Sequence, residues 1–299
     1  MPVDWSKITF KDLINVKKYL IGELYDGVKI STICASCKVG DDLNLKNMYD
    51  YMSLNSDDVI VVKKNNSEMK TLIEIKQPKR RSKSEQLKKK TSSFQNSLTV
   101  VMRSEIGDYE TLDKERKVNL KIFNNGSIQM SGCKDINAVN NVLNKIIYMI
   151  KKGKTIKKDG VKVKINYCEF PEKIKVSDFK LDTINCNYRV RITINRDKLF
   201  RLMIKKGIKC NYENCIRRAC VNIKYQPKDD NPDDKLISLS VFEKGSILIA
   251  GAKNKSQLVQ SIKFINEIFV THLEDIQKSA LDDVIRKSKY KSLLLEDEM

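Results

Sequence analysis

Residues 118–150 read VNLKIFNNGSIQMSGCKDINAVNNVLNKIIYMI, and residues 237–269 read ISLSVFEKGSILIAGAKNKSQLVQSIKFINEIF. The two stretches align without a gap. Phe123 falls on Phe242, Gly126 on Gly245, Ser127 on Ser246, Ile128 on Ile247 and Gly132 on Gly251, each pair 119 residues apart. Self-similarity of this kind marks a duplicated structural unit. Within the first copy Val118, Leu120 and Ile122 alternate with Asn119, Lys121 and Phe123, which predicts a strand with two unlike faces. Asn124-Asn125-Gly126 and Glu243-Lys244-Gly245 are tight-turn sequences whose glycine accepts positive φ. A second strand follows over residues 127–131 and 246–250, and Gly132 and Gly251 are expected to break it. A helix comes next. Ile136, Val139, Val142, Leu143, Ile146, Ile147 and Ile150 recur at helical spacing, as do Leu258, Ile262, Ile265 and Phe269. Each copy is therefore a hairpin followed by a helix. A helix covers one face of a sheet and leaves the other for solvent or a ligand.

The duplication extends upstream. Residues 28–38, VKISTICASCK, read as a strand followed by a helical stretch with Leu45, Met48, Tyr49 and Met52. Residues 179–194, FKLDTINCNYRVRITI, are the counterpart, and Asn195 can N-cap a helix carrying Leu199, Leu202 and Met203. LTVVMR (98–103) and CVNIKY (220–225) supply a third strand to each half. Each half then runs strand–helix–strand–strand–strand–helix, an α+β arrangement.

Composition narrows the function. The chain has 299 residues, 57 Lys+Arg and 38 Asp+Glu, giving a formal net charge of +19. That length fits one large or two ordinary domains, and 41% hydrophobic residues suffice for a core. No apolar run reaches the roughly 18 residues of a membrane span, and the opening MPVDWSKITFKDL has no apolar core of a secretion signal. The eight cysteines are accordingly expected as thiols. Cys34 and Cys37 are three apart on a strand and face opposite sides, and Cys210, Cys215 and Cys220 follow no standard ligand spacing, so no metal site is expected. One histidine, His272, leaves little for a protease-type triad or a His-rich metal centre. The basic surplus points to a polyanion, nucleic acid first and an anionic membrane surface second. The bland alternative is that Lys, Asn and Ile simply reflect an A+T-rich coding sequence.

KIFNNGSIQMSGCK and SVFEKGSILIAGAK resemble the strand–turn–strand of the TATA-box-binding protein family, close to LIF-x-SGK-hydrophobic-x-x-TGAK. ISTICASCK is similar to that family's VSTVNLDCK, FKLDTINCNYRVRITI to its FKIQNIVGSCDVKFPI, and VVMR to its VIMR. The resemblance covers residues 26–64, 94–150 and 178–270. It implies a TBP-like saddle: two pseudo-symmetric repeats forming a curved antiparallel β-sheet with helices on the convex face, and a concave face seated on the DNA minor groove and bending it. It implies no catalysis and no cofactor.

The resemblance also assigns residues. Phe123 and Phe242 fall on the second base-step wedge of each repeat. The first wedge position falls on Ser97, with Phe94 nearby, and on Arg217 or Arg218. The central asparagine positions read Val28 and Thr183, and the adjoining valines read Ile30 and Asn185. The floor threonines become Ser131 and Ala250, and the floor valines Gln129 and Leu248. Arg103 matches a phosphate-contacting arginine, with Lys224 as its counterpart, and the turn lysines become Ser127 and Ser246. Ile30, Leu248 and Ala250 suit A·T pairs, whereas Gln129 and Asn185 add polarity.

The expected organisation is an N-terminal helical extension (1–25, starting in a capping-box-like Thr9/Asp12), repeat 1 (26–150), an extended linker (151–177), repeat 2 (178–270) and a helical tail (271–299). The linker holds one candidate strand over residues 161–167, and a strongly basic insertion spans about 65–93. The function implied is that of a general initiation factor. It would bind A·T-rich promoter DNA with transcription factor IIB-like proteins, other initiation factors and RNA polymerase. The second docking motif of the family, near YEPELFPG, reads Tyr212-Glu213-Asn214-Cys215-Ile216 here. The drifted groove residues and the extensions resemble versions carried by large DNA viruses, which implies action in the nucleus or a cytoplasmic viral factory, with carriage in the virion. Two other readings stand beside this one. The first is a basic DNA-packaging protein or interaction scaffold. The second is an accessory domain of an enzyme, for which no catalytic domain fits in the remaining segments.

Overall fold

The computed structural model describes residue 8 and residues 11–64, 68–73, 97–105, 116–212, 219–228 and 235–279. The chain divides into two compact units, residues 1–20 with 32–182 and residues 21–31 with 183–299. The basic insertion, apart from residues 68–73, and residues 280–299 lie outside the described residues, as do Thr9, Phe94, Arg217 and Arg218.

Unit 1 opens with α1 (Val16–Tyr19), β1 (Lys29–Lys38, in this unit from Thr32 and paired with β6 from Ile33) and α2 (Leu45–Tyr51). It continues with β2 (Val59–Lys63), β3 (Met69–Thr71), β4 (Ser97–Arg103), β5 (Lys117–Phe123), β6 (Ser127–Cys133) and α3 (Ile136–Lys152). Every pairing is antiparallel, in the order β1-β6-β5-β4-β2-β3. Period-two alternation puts Ile33, Ala35, Leu98, Val100, Leu120, Ile122, Ile128 and Met130 on one buried face. Helix α3 packs there with Val139, Val142, Leu143, Ile146 and Ile150 buried. Asp135 starts this helix by accepting from the Ala138 amide at 2.7 Å, and Gly153 ends it at φ 63°.

One residue of α3 breaks the apolar pattern. Lys145 is 1% exposed, and its Nζ donates to Asp58 Oδ1 (3.0 Å), Arg103 O (3.3 Å) and Glu105 O (2.8 Å). Asp58 is itself 2% exposed and also accepts from Asn55 Nδ2 at 3.1 Å. Burial pulls the Lys145 ammonium below its usual range, and Asp58 opposes that shift.

The N-terminal segment is not the expected helix. Within residues 11–25 only Val16–Tyr19 is helical. The side chains of α3 meet its backbone instead: Leu13 N donates to Asn140 Oδ1 (3.0 Å), and Asn140 Nδ2 and Asn144 Nδ2 donate to Lys11 O. The linker also differs from expectation. It holds a two-stranded ribbon, β7 (Lys154–Lys158) and β8 (Val161–Ile165), turning at Asp159-Gly160. Residues 166–175 then run beside residues 39–44, with Asn44 N donating to Tyr167 O at 2.8 Å and Lys175 N to Val39 O at 3.2 Å.

Unit 2 repeats the plan with β9 (Ser177–Arg189, in this unit from Thr183), α4 (Arg196–Lys205), β10 (Cys210–Asn211), β11 (Cys220–Tyr225), β12 (Ile237–Phe242), β13 (Ser246–Ala252), α5 (Lys255–Thr271) and α6 (Leu273–Ile276). Its strand order is β10-β11-β12-β13-β9, again antiparallel. Asn195 caps α4 by accepting from Lys198 N, and Asn254 caps α5 by accepting from Gln257 N. Val221, Ile223, Leu239, Val241, Ile247 and Ile249 form the buried face under Leu258, Ile262 and Ile265. The α+β class and the two-repeat plan are those expected.

Two glycine pairs do different work from that expected of them or more. Gly132 and Gly251 do not end their strands; β6 and β13 run on to Cys133 and Ala252. Each glycine sits at a register shift with positive φ (99° and 103°), forming a bulge. Gly132 N donates to Thr32 Oγ1 at 3.0 Å and Gly251 N to Asn185 Oδ1 at 3.1 Å. At the hairpin turns, Val39 N and Leu43 N donate to Gly126 O and Asn124 O, while Val190 N and Ile194 N donate to Gly245 O and Glu243 O. A Cβ on Gly126 would lie 2.5 Å from Asp41 O, and one on Gly245 would collide with Val190 O. Close approach and positive φ together require glycine there.

Candidate nucleic-acid interface

The face of each sheet opposite its helices carries half-exposed and exposed side chains in ordered rows. In unit 1 one row runs Ser36–Gln129–Lys121–Thr99–Lys63 across β1, β6, β5, β4 and β2. The next runs Cys34–Ser131–Asn119–Val101. At the sheet end Lys38 pairs with Ser127, and Phe123 pairs with Ser97. In unit 2 the corresponding row is Asn187–Leu248–Ser240–Asn222–Asn211, followed by Ala250–Ser238–Lys224. At its end Arg189 pairs with Ser246, and Phe242 with Cys220.

Phe123 and Phe242 are therefore at one register in their two units, each half-buried and each opposite a small residue on the neighbouring strand. Gln129 and Ser131 are exposed, and Leu248 and Ala250 half-exposed, on the same rows. Ser127 and Ser246 follow the turns, half-exposed and exposed respectively. Thr183 and Asn185 lie on the open side of β9, where the Asn185 carbonyl oxygen is held by the Gly251 amide. Because a backbone N–H can only donate, this fixes the orientation of the Asn185 side-chain amide. Ile30 is half-exposed at the start of β1, and Val28 precedes that strand.

The registers correct three of the assigned equivalences. The opening strands are 151 residues apart throughout: Val190 follows Val39, Ile194 follows Leu43 and the cap Asn195 follows Asn44 by that spacing. Thr183 thus corresponds to Thr32 and Asn185 to Cys34, not to Val28 and Ile30. Secondly, Cys220 is the counterpart of Ser97, since each faces the repeat's phenylalanine; Arg217 and Arg218 precede it and are not described. Thirdly, Lys224 pairs with Ser238 as Val101 pairs with Asn119, so Lys224 matches Val101 and Arg103 matches Gln226.

Arg103 does not join the open face. It is 7% exposed, and its Nε donates to Ser56 O at 2.7 Å. Lys224 does line the open face, its Nζ on Ser238 Oγ at 2.6 Å. Lys121, Asn119, Asn187, Asn222 and Ser240 were not picked from sequence. Alternation gives their signal, since every second residue back from Phe123 and Phe242 shares its face. Carboxylates adjoin unit 1's rows: Asp182 Oδ1 accepts from Ser36 Oγ at 3.0 Å, and Asp178 Oδ2 lies 3.8 Å from Lys38 Nζ.

The thiols divide by face. Burial pushes Cys37 and Cys186 up to about 12, and burial with the nearby Asp135 charge does the same for Cys133. Cys34 and Cys220 are half-exposed on the open faces. Cys34 and Cys37 therefore point to opposite sides of β1.

No family model matches the chain. Among solved structures, Methanococcus jannaschii TBP is similar over 83% of this chain and 98% of its own, at 19% identity and a TM-score of 0.46. Acanthamoeba polyphaga mimivirus has a relative named TATA-box-binding protein-like. It is 31% identical over 283 residues, which cover 89% of this chain and 71% of the relative. At that identity and coverage, the chain belongs to the TATA-box-binding protein-like family.

Proposed function

We propose that the open faces bind the minor groove of A·T-rich promoter duplex, that Phe123 and Phe242 wedge into base steps and bend it, and that the bent complex nucleates transcription initiation. The observation that carries this reading is the matched placement of the two rings. Each lies at the end of the sheet face opposite the helices, half-exposed, opposite Ser97 or Cys220 rather than another large side chain. Partial insertion of a ring unstacks a step at a cost of a few kcal/mol, and the added contact surface offsets it. One ring per repeat, rather than two, predicts a shallower kink at each end.

Between the rings the rows suit a groove floor. Leu248 and Ala250 offer no acceptor to a guanine N2 amine and so favour A·T pairs. Lys121, Lys224, Lys38 and Arg189 supply charge for phosphates, which positions the protein without reading sequence. The chemistry is binding and deformation, without catalysis. Partners under this reading are a transcription factor IIB-like protein, other initiation factors and RNA polymerase. The place of action is the nucleus or a cytoplasmic viral factory, with carriage in the virion. A second reading, sequence-indifferent DNA coating, is favoured by the net charge of +19 alone.

Inosine separates the two. Replacing guanine by inosine removes the minor-groove amine while leaving the major-groove pattern of a G·C pair. The promoter reading expects an inosine-substituted G·C duplex to bind nearly as well as the A·T duplex. Equal affinity for A·T, I·C and G·C duplexes at every salt concentration would replace it with coating.

A further inference from the structure

The ribbon β7–β8 and the pocket at its base have no role in the DNA reading. The pocket has a volume of about 360 Å³, and its walls include Met52, Leu54, Tyr148, Met149 and Tyr167, with Lys152 and Lys154 among its lining residues. Lys154 and Lys158 lie on the same side of the ribbon as Ile156, Val161 and Val163. The pocket therefore continues onto the ribbon's apolar side, where Val161 is 64% and Val163 37% exposed.

The other side of the ribbon is basic. Lys157 stands directly opposite Lys162, and Lys164 follows opposite Thr155. Residues 151–165 hold seven lysines against one acid, Asp159. Like charges directly across a two-stranded pair destabilise it, and an isolated hairpin is marginal in water. The pocket side itself joins the apolar strip to Lys154 and Lys158, and one kind of ligand satisfies both.

We infer that this pocket and ribbon form a docking surface for an extended acidic segment of a partner protein that carries one bulky apolar anchor. The anchor fills the pocket beside Leu54 and Met149, and flanking carboxylates reach Lys152, Lys154 and Lys158, the lysines on the pocket side. Charge complementarity selects an acidic occupant. The apolar cavity beside the lysines selects one with an anchor, which a bare polyanion lacks.

The test uses the full chain and a short fluorescent peptide of glutamates around one central tryptophan, read by anisotropy. The expected result has three parts. Lys154→Ser/Lys158→Ser and Leu54→Glu each weaken binding by about tenfold. Replacing the peptide's tryptophan by serine weakens it similarly. Lys205→Ser/Lys206→Ser/Lys209→Ser, on unit 2, leaves it unchanged. The inference is overturned if all the lysine variants behave alike, if the tryptophan is irrelevant, or if the ribbon variant keeps the peptide and instead flattens the salt dependence of duplex binding. The last outcome would make the ribbon a nucleic-acid contact. Urea midpoints equal to wild type confirm that each variant compared is folded.

Discussion

Lys145 in unit 1 and Phe264 in unit 2 hold one place in the repeat, 119 residues apart, on the third turn of their helices. They solve the same packing problem differently. Lys145 is buried against Asp58 and two carbonyls, whereas Phe264 stacks on Tyr225 with ring centroids 4.5 Å apart. The surrounding helix–sheet layers are otherwise alike. The lesson is that the fold tolerates either an ion pair or an aromatic stack between helix and sheet, provided each set of groups is complete. Only the ion pair is costly to break, because half of it is worse than none.

Breaking the ion pair gives the largest expected effect. Lys145→Met leaves Asp58 buried and unpaired and should cost about 3–5 kcal/mol in urea unfolding. Adding Asp58→Asn should recover much of that loss. Phe264→Ala, at a half-exposed site, should cost only about 2 kcal/mol. If Lys145→Met costs less than Phe264→Ala, the contrast between the two units is wrong.

The same pairing of units sharpens the DNA reading. Phe123→Ala or Phe242→Ala should each weaken duplex binding by about 1–3 kcal/mol, as loss of an aromatic–base contact does, while barely moving the urea midpoint. Smaller still is the exchange of Gln129 and Leu248, which are equivalent across the repeats. Leu248→Gln should relax discrimination against G·C at one half of the site by about 1 kcal/mol, and Gln129→Leu should strengthen it at the other. A duplex panel substituted one half at a time measures both. The smallest effect is on thiol chemistry. Bound duplex should slow alkylation of Cys34 and Cys220 a few-fold by peptide mapping, while Cys37, Cys133 and Cys186 stay unreactive with or without it, their thiols held protonated by burial. Equal protection of all five would mean that DNA acts on the whole fold rather than on the open faces.

The duplicated hairpin–helix was legible because its glycines and alternation are local. Gly126 and Gly245 mark the turns, and the faces follow from period two. The register of the opening strands was not legible. A four-residue slip, which equates Val28 with Thr183, keeps every side chain on its original face and so leaves the pattern undisturbed. The carboxyl-terminal glycines misled for a related reason, since Gly132 and Gly251 signal a bulge as readily as an end. Strand β7 was hidden because four of its five residues, Lys154, Thr155, Lys157 and Lys158, are polar and show no alternation of type. Arg103 matched its motif in sequence, yet the fold turns it away to Ser56, a contact 47 residues distant that no local pattern encodes. Lys145 was silent too, its partner Asp58 being 87 residues away.

Bending is the property on which the two matched phenylalanines depend, so its direct measurement comes first. A short A·T-rich duplex labelled at both ends reports its end-to-end distance by FRET on addition of wild type, Phe123→Ala, Phe242→Ala and the double variant. The expected result is a shortened duplex with wild type, an intermediate one with either single variant, and a straight one with the double variant, which still binds at low salt. A duplex that wild type binds without shortening, or shortens equally with the double variant, would contradict it.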